Sequence, residues 1–104
     1  MSDYQLPLFP LTLVVYPDQR LPLHIFEERY QQMVRYCLET EERFGIVLQQ
    51  EGKLAEVGCT VRIERVLEAY PDGTMDILTI GEQRFRIEQL RQERMYLTAT
   101  IEAV

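Results

Sequence analysis

The 104-residue chain has one lysine, one histidine, one serine, two cysteines and no tryptophan. Each shortage removes a class of chemistry. Lys53 is the only lysine, and no glycine cluster precedes a Lys-Ser or Lys-Thr pair, so the chain has no phosphate-cradling loop. Metal centres need several convergent Cys, His or carboxylate ligands. Here Cys37 and Cys59 are far apart on different kinds of element, and His24 stands alone, so no metal or other cofactor is expected. Ser2 is too close to the start to pair with His24 as an activated nucleophile. Basic residues number 11 against 17 acidic, for a net charge of -6. That balance lacks the positive field that drives phosphate-backbone binding, so nucleic acid is disfavoured as a partner. No apolar run approaches the ~18–20 residues of a membrane span, and Met1 to Gln5 has no basic-then-apolar signal pattern. The chain reads as cytoplasmic with no membrane partner, and two unpaired cysteines suit a reducing compartment.

What the chain does have is enough apolar material for a core. Hydrophobic residues are 46% and charged residues 27%. Area scaling gives a folded surface of roughly 6,100 Å², with about two-thirds of the unfolded surface buried. One domain over residues 1–104 is expected, and it needs no disulfide to hold it.

Four of the five prolines fall in the first 25 residues, interleaved with apolar side chains in Leu6-Pro7-Leu8-Phe9-Pro10-Leu11 and Leu21-Pro22-Leu23. Proline lacks a donor and is rare in central strands, so these segments read as short extended pieces at a sheet edge. Tyr16-Pro17-Asp18-Gln19 reads as a turn, with Pro17 fixing φ and Asp18 offering a side-chain acceptor. From Phe26 to Thr40, Phe26, Tyr30, Met33, Val34, Cys37 and Leu38 form one stripe at the 3.6-residue period, which predicts a helix. Glu39, Glu41 and Glu42 oppose the dipole at its far end and predict fraying.

Beyond Gly45 the period changes to two. Strands are predicted over Phe44–Gln50, Thr60–Tyr70, Thr74–Ile80, Arg84–Leu90 and Met95–Val104. The turns between them fall at Gln50-Glu51-Gly52, Asp72-Gly73 and Gly81-Glu82. In the last strand Leu97, Ala99, Ile101 and Ala103 alternate with polar residues, which predicts one packed and one wet face. Around Glu64-Arg65 the alternation breaks. Either a bulge lies there, turning Leu67 outward, or Val66 points away instead. The fold class is therefore mostly β with one main helix, the strands short, mainly antiparallel and closed on themselves to hide their edges.

Candidate chemistry is thin. His24 reads as a histidine at the helix start bonded to backbone groups rather than as a general base. Glu39 to Glu42 reads as a solvated helix end. Arg84-Phe85-Arg86 places Phe85 in the core between two exterior arginines.

Several segments, in this order, resemble a known family: Leu6 to Leu11, Leu21-Pro22-Leu23-His24-Ile25-Phe26-Glu27 with Arg29-Tyr30, Phe44 to Leu48, Val57-Gly58, Asp72-Gly73 and Arg84 to Ile87. The chain is similar to the N-terminal substrate-binding domain of Lon proteases and to short stand-alone bacterial Lon-like proteins. The resemblance covers about Leu6 to Val104. It departs at Glu28, where the family often has proline, and at Cys59. It implies a PUA-like pseudo-barrel. It also implies a non-catalytic protein-binding module that recognises exposed apolar segments of unfolded or tagged client proteins, with a protease or ATPase as a further partner. The ATPase and protease modules of full Lon proteases are not part of the resemblance. A PUA-like RNA or small-ligand binder is the alternative, and the alternating segments are compatible with a homo-oligomer.

Binding clients of that kind needs apolar anchors left exposed on a rigid frame. Two places in the sequence join apolar side chains to a bend. The expected protein-binding residues are Tyr16 and Pro17 at one, and Val66, Leu67, Tyr70 and Pro71 at the other.

Overall fold

Two strands of 17 residues each dominate the architecture. The computed structural model describes residues 5–104. In chain order the elements are β1 (Leu6–Leu11), β2 (Arg20–Ile25), α1 (Glu28–Thr40), β3 (Phe44–Gln50), β4 (Lys53–Ala69), β5 (Met75–Arg91) and β6 (Thr98–Ala103). The sheet runs β2-β5-β4-β3-β1-β6, and β6 pairs again with β5, so the strands form a ring with β2 appended to β5. All pairings are antiparallel except β1 with β3. The mostly-β class with one helix is what the alternation predicts.

The proline-rich strand β1 is not at an edge, as its prolines suggest, but lies between β3 and β6. Backbone parity explains how it is accommodated. The Leu8 N–H donates to Leu97 O toward β6, so even residues of β1 face β6 and odd ones face β3. Pro7 lacks its donor on the β3 side, before that ladder starts at Leu8. Pro10 lacks its donor on the β6 side, beyond Pro7 where that ladder stops. Neither proline removes a bond that a neighbouring strand could have made. β1 is also buried on both faces. Leu6 and Leu8 join Phe85 and Ala99 in one cluster, while Phe9 joins the larger cluster beneath the helix. β2, with Pro22, does occupy an edge.

The expected tight turn at Gly81-Glu82 is instead a bulge inside continuous β5. Val61 pairs with Gly81 and Thr60 with Gln83, leaving Glu82 as the extra residue. The extra residue flips the alternation, so Ile77 and Phe85 face opposite sides although both are odd-numbered. On β4 the bulge expected near Glu64-Arg65 is present, and a second follows at Leu67. Val66 consequently shares the face of Val61 and Ile63, and Leu67 is the inserted residue. Both remain about two-fifths exposed, at 39% and 41%. β4 also starts earlier than its β-branched run suggests, at Lys53, after a two-residue turn in which Glu51 and Gly52 have φ of 52° and 77°. β6 starts later, at Thr98, and its polar face is not all wet: Thr98 is buried.

The helix buries Tyr30, Met33, Val34 and Cys37 against the sheet, with the Tyr30 ring 4.3 Å from that of Phe9. Two ends of the apolar stripe fail. Leu38 is 40% exposed, and Phe26 precedes the N-cap Glu27 and is 62% exposed. The far end is capped rather than open. Glu41 adopts φ 57°, and the Glu41 and Glu42 N–H groups both donate to Cys37 O. A left-handed glutamate at a negative helix terminus is unfavourable on both counts. Glu41→Gly is expected to raise the unfolding free energy by about 0.5–1 kcal/mol in urea denaturation, without changing the m-value.

Candidate functional site

Three elements meet around His24. The β2–β5 register sets His24 opposite Asp76, and Asp76 pairs on its other side with Glu68 of β4. The hairpin joining β4 to β5 turns through Pro71 and Asp72, with Gly73 N–H donating to Tyr70 O and Gly73 at φ 94°. Asp72 Oδ1 accepts from both the Thr74 N–H and the Thr74 hydroxyl, which fixes the turn. Tyr70 is thereby folded over Asp76, and its hydroxyl donates to Asp76 Oδ2 at 2.7 Å. The His24 Nδ1 lies 2.6 Å from Asp76 Oδ1. One carboxylate thus holds two rings. The bonds from Tyr70 and then His24 keep the Asp76 carboxyl below the usual carboxylate range, so it is ionised at neutral pH. Asp72 is held low as well, chiefly by Thr74.

His24 is therefore not the backbone-bonded histidine at a helix start that the sequence suggests. It is a strand residue paired with a side chain 52 positions away. The pair is open to solvent, with side chains 55% and 32% exposed, and the Tyr70 hydroxyl is committed to the same carboxylate. Both cysteines are buried; desolvation, then the charge of Glu42, pushes the Cys37 thiol up to about 12. The network therefore fixes aromatic rings in place rather than activating a nucleophile. Phe26 completes the row. Its ring stacks on His24 at 5.9 Å, and the Tyr70 ring meets His24 edge-on at 6.2 Å.

The exposure of Phe26 has a local cause. An apolar residue before an N-cap usually packs on the fourth helical residue. That residue here is Gln31, which is buried and donates from Nε2 to Phe26 O at 2.8 Å. A Cβ on Gly73 would lie 2.8 Å from Gln31 Oε1, so Gln31 also backs the hairpin turn. The helix start and the hairpin are braced by one side chain, while the Phe26 ring is left in solvent.

Two depressions flank the row. A shallow trough of about 420 Å³ is lined by His24, Tyr70, Pro71, Asp72 and Thr74. A groove of about 270 Å³ opens on the other side of His24, between β2, the end of β1 and the helix start, with Pro10, Leu11, Leu23, Phe26 and Tyr30 among its walls.

Of the residues singled out in the sequence, Tyr70 and Pro71 line this trough. Val66 and Leu67 lie further along the same hairpin. Tyr16 and Pro17 are elsewhere, in a turn closed by Gln19 N–H donating to Tyr16 O, with Asp18 at φ 70°. The side-chain acceptor there is Gln19 Oε1, which takes the Tyr16 N–H, not Asp18. The turn docks on the β5 bulge, where Asp18 N–H donates to Gly81 O. Leu13 and Val14 beside it are exposed too, so this loop is a second apolar surface larger than Tyr16 and Pro17 alone.

Residues 5–104 match the family model of the ATP-dependent protease La (LON) substrate-binding domain. The chain belongs to this family. Among solved structures, the Lon N-terminal domain protein from Xanthomonas campestris superposes with a TM-score of 0.84 at 34% identity, over 96% of this chain and 59% of that one. The N-terminal domain of Mycobacterium avium complex Lon protease shares the fold, with a TM-score of 0.77 at 16% identity, over 97% of this chain and 55% of that one. The Lon protease of Buchnera aphidicola is 27% identical over 99% of this chain but only 14% of its own length. The Lon-type domain therefore spans a small part of that relative and little more than half of either solved neighbour. Family membership makes the chain a domain of the Lon substrate-binding type. Among the described residues no helix is long and apolar enough to cross a membrane.

Proposed function

We propose that this chain is a non-catalytic substrate-recognition module that holds exposed apolar segments of unfolded or tagged client proteins for a protease or ATPase partner. The observation that carries this reading is Phe26, a large apolar ring 62% exposed and braced beside His24 and Tyr70. A ring kept in water on a rigid frame is a loss for folding and a gain for binding, because burial of its surface is deferred to the client. Shallow depressions on either side suit weak, sequence-tolerant contacts. Val66, Leu67, Tyr70 and Pro71 extend this surface along the hairpin, and the Leu13–Pro17 loop provides a second station. The other ligand class, RNA, draws no support from a surface whose charges are mainly carboxylates.

The test is fluorescence anisotropy of a labelled client, presented once native and once permanently unfolded by reduction and alkylation. Saturable binding of the unfolded form alone is expected. Leu67→Ser and Tyr16→Ser should each weaken it about threefold, since each removes one partly exposed side chain worth under roughly 1 kcal/mol of docking energy. Equal binding of native and unfolded client, or Ser variants that lose stability instead of affinity, would overturn the reading.

A further inference from the structure

The trough beside the aromatic row is not neutral. Asp72 lines it, Asp76 lies under His24 and Tyr70, and Glu68 adjoins Asp76 across the strands. Asp72 and Asp76 are both held ionised by their hydrogen bonds. The cationic side chains nearby are Arg29 and Arg65. Arg29 is engaged by Glu27 at 3.1 Å and lies over the Tyr30 ring at 4.8 Å. Arg65 pairs with Leu78, one cross-strand row beyond Leu23–Ile77–Val66. The balance at the trough is negative, in a chain whose net charge is -6. The electron-rich face of Tyr70 adds to it, since aromatic faces attract cations.

On the reading that this face holds client segments, we propose that the trough takes the lysine or arginine side chain of an extended client whose neighbouring apolar residue sits on Phe26. The geometry suits one peptide spanning both. Phe26 and Tyr70 flank His24 within about 12 Å, which an extended segment covers with residues two to four positions apart on one face. The occupant is thus a basic-apolar segment, and charge complementarity distinguishes it from a purely apolar one.

The experiment uses three labelled twelve-residue peptides with the same central Phe-Leu pair. They differ only two residues away, where they carry arginine, its neutral isostere citrulline, or glutamate. Wild-type chain should bind the arginine peptide about fivefold more tightly than the citrulline peptide, and the glutamate peptide most weakly. The Asp72→Asn, Asp76→Asn double variant removes both charges; it keeps the acceptor for Thr74, and at position 76 it keeps one acceptor and turns an N–H donor toward the other ring. It should bring the arginine-to-citrulline ratio near one, whatever it does to the affinity for the citrulline peptide itself. Salt at 0.5 M should do the same to the wild type. Equal binding of arginine and citrulline peptides by the wild type, or a ratio that survives the double variant, overturns the cation preference while the client-holding reading stands. No binding by any of the three overturns both.

Discussion

Phe85→Ala is expected to lower the unfolding free energy by about 3–5 kcal/mol in urea denaturation, a large share of the 5–15 kcal/mol a domain of this size has. Phe85 is fully buried, and its ring fills a slot that two strands leave open by having no side chain. A Cβ on Gly45 of β3 would lie 2.7 Å from Phe85 Cζ, and one on Gly58 of β4 would lie 2.8 Å from the same atom. Around that ring Leu6, Leu8 and Ala99 complete the smaller core cluster, and Phe85 also pairs with Ala103, where β6 returns to close the ring of strands. Truncation therefore leaves a cavity at the closure, bounded by backbone that cannot collapse into it. The glycines give a sharper form of the test. The atoms nearest a Gly45 Cβ belong to the side chains of Phe85 and Leu6, which can shift or be shortened. A Gly58 Cβ would be 2.6 Å from Ile46 O, a backbone atom of the neighbouring strand. Gly58→Ala should cost about 3 kcal/mol or more, at or beyond the usual overpacking penalty. Adding Phe85→Leu should relieve Gly45→Ala by about 1 kcal/mol and Gly58→Ala only in part, because the contact with Ile46 O remains. Strict additivity in both pairs would place the ring somewhere else.

Strand content, the helix and the burial of Phe85 between outward arginines are legible in the sequence because they follow from periodicities of two and 3.6. The glycine slot is not, because Gly45, Gly58 and Phe85 are brought together by register, and register depends on bulges. The bulge at Glu82 has no local signature that separates it from a Gly-Glu turn. The reading of β1 as an edge strand fails for a related reason. Proline penalises only the side on which its N–H would point, and the sequence does not say which ladder each side meets. Tyr70 and Pro71 at the hairpin were legible, since a bend cannot bury every apolar side chain beside it. His24 was not, because its partner Asp76 is distant in sequence. Phe26 fits the phase of the helical stripe, yet it precedes the N-cap and its ring stays in solvent. The correcting signal was present five residues on: Gln31 is polar where a staple to Phe26 would need an apolar residue.

Phe26 is where the largest functional effect is expected. Phe26→Ser should weaken binding of a permanently unfolded client about tenfold, and Phe26→Ser with Tyr70→Ser further still. An aromatic side chain buries about 150–250 Å², so with 62% exposed roughly 125 Å² remains available to a client. At about 25 cal/mol per Å² complete burial would yield about 3 kcal/mol, an upper bound of about 150-fold. A shallow site realises only part of that, hence the smaller figure. Stability should barely respond, because the ring contributes little buried area to the folded chain and its carbonyl, not its side chain, receives the Gln31 bond. A melting temperature within about 3 °C of wild type is expected. Gln31→Ala is the contrasting variant. It removes the brace between helix start and hairpin while leaving every ring of the row intact, so it should lower the melting temperature and weaken binding together. If Phe26→Ser behaved like Gln31→Ala, losing stability and affinity in step, the ring would be part of the core and not an anchor held out for a client.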